Sequence, residues 1–167
     1  MARGLLRVLL DFAIPQQERD NWCWAACASG VARFYDDTTA WTQCGIANAV
    51  LGRSDCCVDG GQCDEAAAVY KALNATGNLA WKLDRPATRD ELLRELGQGR
   101  PIVARIQWPH REGYPEGHFV VIDGYRPPGL FRVQDPAGQR TLELRLDRLM
   151  HRFDALGWWS HSYGTSP

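Results

Sequence analysis

The stretch NWCWAA sets Cys23 between two tryptophans at the point where a helix is expected to begin. A thiol is a useful nucleophile only when ionised, and the positive end of a helix and a neighbouring imidazolium both favour the thiolate. After Cys23, the apolar positions Trp24, Cys27, Ala28, Val31, Phe34 and Tyr35 recur at three- and four-residue spacing. This predicts a helix with Cys23 in its first turn and Asn21 as its cap. The sequence holds four histidines, His110, His118, His151 and His161, of which His118 opens an apolar strand in EGHFVVIDGY. Gly117, just before it, allows another chain to approach closely. The next strand, LFRVQD, ends at Asp135 ahead of a proline. A hairpin of the two would bring Asp135 to His118, where a carboxylate fixes an imidazole's tautomer and orientation.

Thiol, imidazole and carboxylate in this arrangement suit acyl transfer, which also needs donors for a developing oxyanion. The Cys23 N–H is one. A side-chain amide upstream, Gln17 or Gln16, is the expected second. Each residue alone has a plainer reading: a core cysteine, a satisfied strand-end histidine, an aspartate in a turn. Their order and their places at the ends of elements make the combination the stronger reading.

Helical signals dominate from Cys23 to about Gly99. Asp64 to Asn74 is alanine-rich ahead of a Gly77 stop, and TRDELLREL carries a capping box in Thr88 and Glu91. After Pro101 the pattern turns to strands: PIVARIQW, HFVVIDGY, LFRVQD, RTLELRL and GWWSHSY, with LDRLMHRF as a helix among them. The fold class expected is α+β, one domain over 1–167. Its helical half, about 1–99, packs on an antiparallel β half, about 100–167, with a cleft between them.

Composition agrees with a single globular unit. Of 167 residues 45% are hydrophobic, and 19 basic against 20 acidic side chains leave a formal charge of −1, with Lys71 and Lys82 the two lysines. Such a balance supplies no field for nucleic acid or an anionic membrane, and no partner of either kind is expected. MARGLLRVLLDF resembles a signal peptide in outline, but Arg7 and Asp11 interrupt its apolar run and no small-residue cleavage site follows. A first strand is expected there instead. The sequence contains no apolar stretch of membrane-spanning length.

QQERDNWCWAA, GHFVVIDGY and VQDPAG, in that order, resemble the motifs of papain-like cysteine peptidases, most closely the bacterial branch with the NWCWAA signature that includes the AvrRpt2-type effector proteases. The part from HFVV to DPAG is also similar to the C39-type leader peptidases, which carry a glycine where this chain has Trp24. The resemblance implies a papain-like fold and a cysteine protease with Cys23 as nucleophile, His118 as general base and acid, and Asp135 as orienting residue. The six-residue spacing to the cysteine favours Gln17 as oxyanion donor; the Pro-Gln order of the bacterial branch favours Gln16. The implied substrate is a protein or peptide, with a cognate inhibitor or immunity protein as a further partner, a monomeric state and no cofactor. The implied setting is a secreted effector or toxin exported without a cleaved signal, with the bacterial cytoplasm as the other location. The same triad also serves deamidation, transpeptidation or isopeptide cleavage. A third class of reading is an inactive binding domain stapled by disulfides.

Cys44, Cys56, Cys57 and Cys63 lie in WTQCGIANAVLGRSDCCVDGGQC, which lacks the CxxC pairs of common zinc sites. No metal is expected. The stretch reads as loop-rich, and disulfides are the expected staples, Cys44 and Cys63 each taking one of the adjacent pair. Reduced buried thiols are the plainer alternative. Such bridges argue for an oxidising compartment. Cys27 is expected to pack inward, with a resolving-thiol role as the alternative. Trp22 and His110 are expected to line the cleft, Trp24 to pack under the helix, and His151 and His161 to lie on the surface.

Overall fold

The structure, a computed structural model, describes residues 7–110 and 117–167. Strand β1 (Val8–Leu9) leads into helix α1 (Cys23–Tyr35), followed by α2 (Gln43–Leu51) and α3 (Val69–Thr76). Strand β2 (Leu79–Leu83) and helix α4 (Arg89–Gly97) follow. The remainder is β3 (Ile102–Gln107), β4 (Gly117–Arg126), β5 (Leu130–Asp135), β6 (Arg140–Arg145), α5 (Leu146–His151) and β7 (Trp158–Thr165). The strands form one antiparallel sheet in the order β2-β7-β3-β4-β5-β6, with β1 pairing β4.

Side-chain alternation assigns each face of this sheet to a different set of helices. Val103, Phe119, Val121 and Tyr163 join the cluster that contains Trp24, Cys27, Ala28 and Val31 of α1, with Ile46 of α2 and Leu73 of α3. Ile102, Ala104, Ile106, Val120 and Ile122 pack instead with Leu92 and Leu96 of α4 and Leu149 of α5. Both faces being covered is why IVARI and HFVVI are almost continuously apolar.

Helix α1 runs through the interior, buried from Cys23 to Ala32. Small residues make that possible. A Cβ added at Gly30 would lie 3.0 Å from Pro15 Cδ and 3.2 Å from Phe12 Cζ, so the glycine lets the incoming chain lie directly on the helix.

Several elements depart from the sequence-based expectation. The reading of WTQCGIANAVL as loop is corrected to helix α2, whose Thr42 cap accepts from the Gly45 N–H at 3.1 Å and whose Gly52 stop has φ +66°. The helix expected from Asp64 begins at Val69, because 64–68 runs extended and gives its polar groups to the start of α1. Strand β2, inside the part read as helical, pairs with β7. The capping box of Thr88 and Glu91 is present in full. Two disulfides, Cys44–Cys57 and Cys56–Cys63, staple α2 to the following loop and that loop to the turn at Gly60–Cys63, one bridge from each of the adjacent cysteines. The second bridge occupies both sulfurs of the cluster Asp55, Cys56 and Cys63, the one metal-like grouping among the described residues. No helix among the described residues is long and apolar enough to cross a membrane.

Candidate active site

Cys23 is the first residue of α1 and is 7% exposed. A first helical residue has no acceptor for its N–H within the helix, so that group is free to face a ligand. The helix start is not capped by Asn21: the cap position is Trp22, with no side-chain bond. Asn21 instead binds the segment after the second disulfide, its N–H meeting Asp64 Oδ1 at 2.8 Å and its amide nitrogen the Asp64 carbonyl at 3.2 Å. The flanking indoles anchor to the same segment. Trp22 Nε1 donates to the Cys63 carbonyl at 2.7 Å and Trp24 Nε1 to the Glu65 carbonyl at 3.0 Å. Three residues flanking the thiol, Asn21, Trp22 and Trp24, are thus tied to residues 63–65.

His118 is the second residue of β4. Its Nε2 lies 2.7 Å from Asp135 Oδ1, and its side chain is 13% exposed while that of Asp135 is fully buried. The Asp135 carboxylate also accepts from the Ala137 N–H at 2.9 Å and from the Arg140 guanidinium. Arg140 is held in turn by Asp154 at 2.7 Å. Burial opposes the charge on His118, but hydrogen bonds to Asp135 and to Cys23 outweigh it and raise its pKa to about 9. With Nε2 taken by Asp135, the other ring nitrogen, Nδ1, is the one left for the thiol. Burial likewise pushes Asp135 up, but His118 and Arg140 together bring it below the usual carboxylate value. Burial first, and then the charges of Cys23 and Asp135, drive the Cys27 thiol well above its ordinary value, so it stays protonated.

A cleft of about 760 Å³ opens where α1 meets the sheet, bordered by Cys23, Trp24 and His118, by Ala66–Ala68 and by Arg105 and His161. The expectation that Trp22 lines it is corrected: Trp22 is 1% exposed, its indole spent on Cys63, and Trp24 borders the cleft in its place. His110 is exposed after β3 and is not among the lining residues. The wall expected from WPHREGYPEG falls partly on 111–116, outside the described residues. His161, expected on the surface, lines the cleft because β7 pairs with β3 and sets it opposite Arg105. Gln17 donates its amide nitrogen to the carbonyls of Arg19 at 3.0 Å and Asp20 at 2.8 Å, bracing the loop that leads to Cys23, while Gln16 is exposed. Neither borders the cleft among the described residues. Arg140 and Arg105 carry no motif of their own; the pairings β5–β6 and β3–β4 bring them to the site.

A family model described as the Peptidase_C39-like family matches residues 9–163. The chain belongs to the Peptidase_C39-like family. No curated protein matches it. Among solved structures it is similar to the peptidase domain of Streptococcus ComA, a bifunctional ABC transporter involved in a quorum-sensing pathway. The match has a TM-score of 0.61 and 14% identity over 93% of this chain and 98% of that one. At that identity the likeness establishes the fold: α+β, helices against one large antiparallel sheet, as in papain-like C39 peptidases. Family membership makes the chain a cysteine peptidase by descent, and the match is to this family rather than to the effector branch that NWCWAA resembles.

Proposed function

We propose that the protein hydrolyses peptide bonds with Cys23 as nucleophile, His118 as general base and acid, and Asp135 as orienting residue. The observation that carries this reading is the His118–Asp135 hydrogen bond set beside Cys23, the first residue of a buried helix, in one open cleft. A Cys23 thiolate attacks the substrate carbonyl. The His118 imidazolium gives its proton to the departing amine, and a thioester remains on the sulfur. Water, deprotonated by the now neutral His118, then releases the acid and restores the thiol.

The oxyanion of each tetrahedral intermediate is met by the Cys23 N–H, where the helix dipole adds to the hydrogen bond. Gln17 supplies a second donor on turning its amide from the carbonyls it braces. The two disulfides favour action in an oxidising compartment, the periplasm or outside the cell.

Incubation with a peptide library, read by mass spectrometry, tests the reading. Hydrolysis gives two new chain ends and disappears in Cys23→Ala. A side-chain change of about one dalton or a new cross-link would assign the same triad to deamidation or transfer, and no product at all would leave a binding domain.

A further inference from the structure

The cleft wall opposite α1 is one face of β2, β7, β3 and β4. Register places Arg105 of β3 directly between His161 of β7 and Phe119 of β4. The Arg105 guanidinium lies against Gly117, the residue before His118: a Cβ added there would meet Nη2 at 2.9 Å. This cation is therefore within one residue of the catalytic imidazole, and the glycine is what admits it.

The partners that hold Arg105 are neutral. Its Nη1 donates to the Gln107 amide oxygen and to Ser160 Oγ at 3.1 Å. Among the described residues it has no carboxylate partner, whereas Arg132, also in the sheet, faces Asp123 at 2.7 Å and Arg140 faces Asp135. The second cation of the wall, Lys82, is neutralised by Asp84 at 3.1 Å. His161, whose Nε2 lies 3.7 Å from Asp84 Oδ1, is lowered first by burial and then by the Arg105 charge. The lining carboxylate among the described residues, Asp20, belongs to the loop before α1 rather than to the sheet. One positive charge is left on the sheet side.

Around that charge the wall is aromatic. Phe119 and Tyr163 meet edge to face at 6.1 Å, and Tyr70 lies under Lys82. Rings around a planar guanidinium accept the methylenes of an acidic side chain while the fork binds its carboxylate. Partial exclusion of water strengthens the pair over one at an open surface.

We propose that this wall is a specificity subsite for a glutamate or aspartate side chain next to the scissile bond, with Arg105 as the residue that selects it. The inference rests on the peptidase reading above and adds the substrate class to it.

The test uses tripeptidyl acyloxymethyl ketones carrying Glu, Gln or Lys at each position in turn, with the labelling rate of Cys23 followed by mass spectrometry. In the wild type, Glu at one position should label about tenfold faster than Gln. The ratio should fall to within about twofold in Arg105→Gln, survive in part in Arg105→Lys, and turn to favour lysine in Arg105→Glu. Equal rates for Glu and Gln at every position, or a ratio that persists in Arg105→Gln, overturn the subsite. Binding of the matching acetyl tripeptide amides to Cys23→Ala separates the two claims. If labelling is no faster than in His118→Ala, yet Glu peptides still bind through Arg105 in preference to Gln peptides, the subsite stands and the peptidase reading falls. His118-dependent labelling with no Glu preference in either assay leaves the peptidase and removes the subsite.

Discussion

The carboxylate of Asp135 holds His118 by one oxygen, at 2.7 Å from Nε2, and Arg140 by the other, so a single buried anion stands between the imidazole and a guanidinium. Removing its charge while keeping its shape should uncouple the pair. In Asp135→Asn the pKa of His118 should fall from about 9 toward its ordinary 6.5, followed by NMR titration of the ring. Peptidase kcat/KM should drop by at least about a hundredfold, because the carboxylate fixes the imidazole's tautomer and orientation. A His118 that still titrates near 9 would mean that Asp135 is a structural neighbour only.

The same shift has a consequence for stability. The folded-state pKa of His118 lies above its ordinary value, so the protonated ring stabilises the fold fully below about 6.5, and this contribution is lost as pH rises through about 9. Unfolding free energies from urea titrations at pH 6.5, 8 and 9.5 should decline in the wild type by more than in His118→Gln. Parallel declines in the two proteins would contradict the assignment.

Residues 63–65 bind Asn21, Trp22 and Trp24, and the Cys56–Cys63 bridge is what fixes the start of that segment. Opening it in Cys56→Ser/Cys63→Ser should cost about 2–3 kcal/mol of stability, as expected for a short closed loop. Activity should fall as well, measured without reductant so that the Cys44–Cys57 bridge is kept. Loss of stability with full activity at 25 °C would show that the segment does not position the thiol.

Gly164 sits in β7 under the Trp81 indole of β2, where an added Cβ would lie 2.0 Å from a ring carbon. Gly164→Ala must push the indole off the sheet and should destabilise by about 1–3 kcal/mol. Calorimetry checks this, and an unchanged melting temperature would contradict the packing described.

How much of this was legible in the sequence followed from how local each signal is. Helix α4 was readable because Thr88, Glu91 and the apolar spacing lie within ten residues, and β3 to β7 because turn residues punctuate them. His118 and Asp135 were readable because each stands at the end of a strand. The alanines at 66–68 suggested helix, but Asp64 and Glu65 satisfy Asn21 and Trp24 across the fold, and tertiary bonds override propensity there. Helix α2 was hidden by its glycine and its cysteine, although its Thr42 cap and Gly52 stop were in view. Arg105, Arg140 and His161 needed strand register, which pairs residues far apart in the chain and leaves no mark in any one segment.

The most direct test of the central claim is the rate at which iodoacetamide alkylates Cys23 at pH 7 in the wild type and in His118→Ala, read by mass spectrometry of the modified peptide. Labelling should be fast at Cys23 alone, with Cys27 untouched in the folded protein, and should slow by about a hundredfold or more without His118. Equal rates in the two proteins would show that the imidazole does not activate the thiol, and the catalytic line from Asp135 through His118 to Cys23 would have to be abandoned.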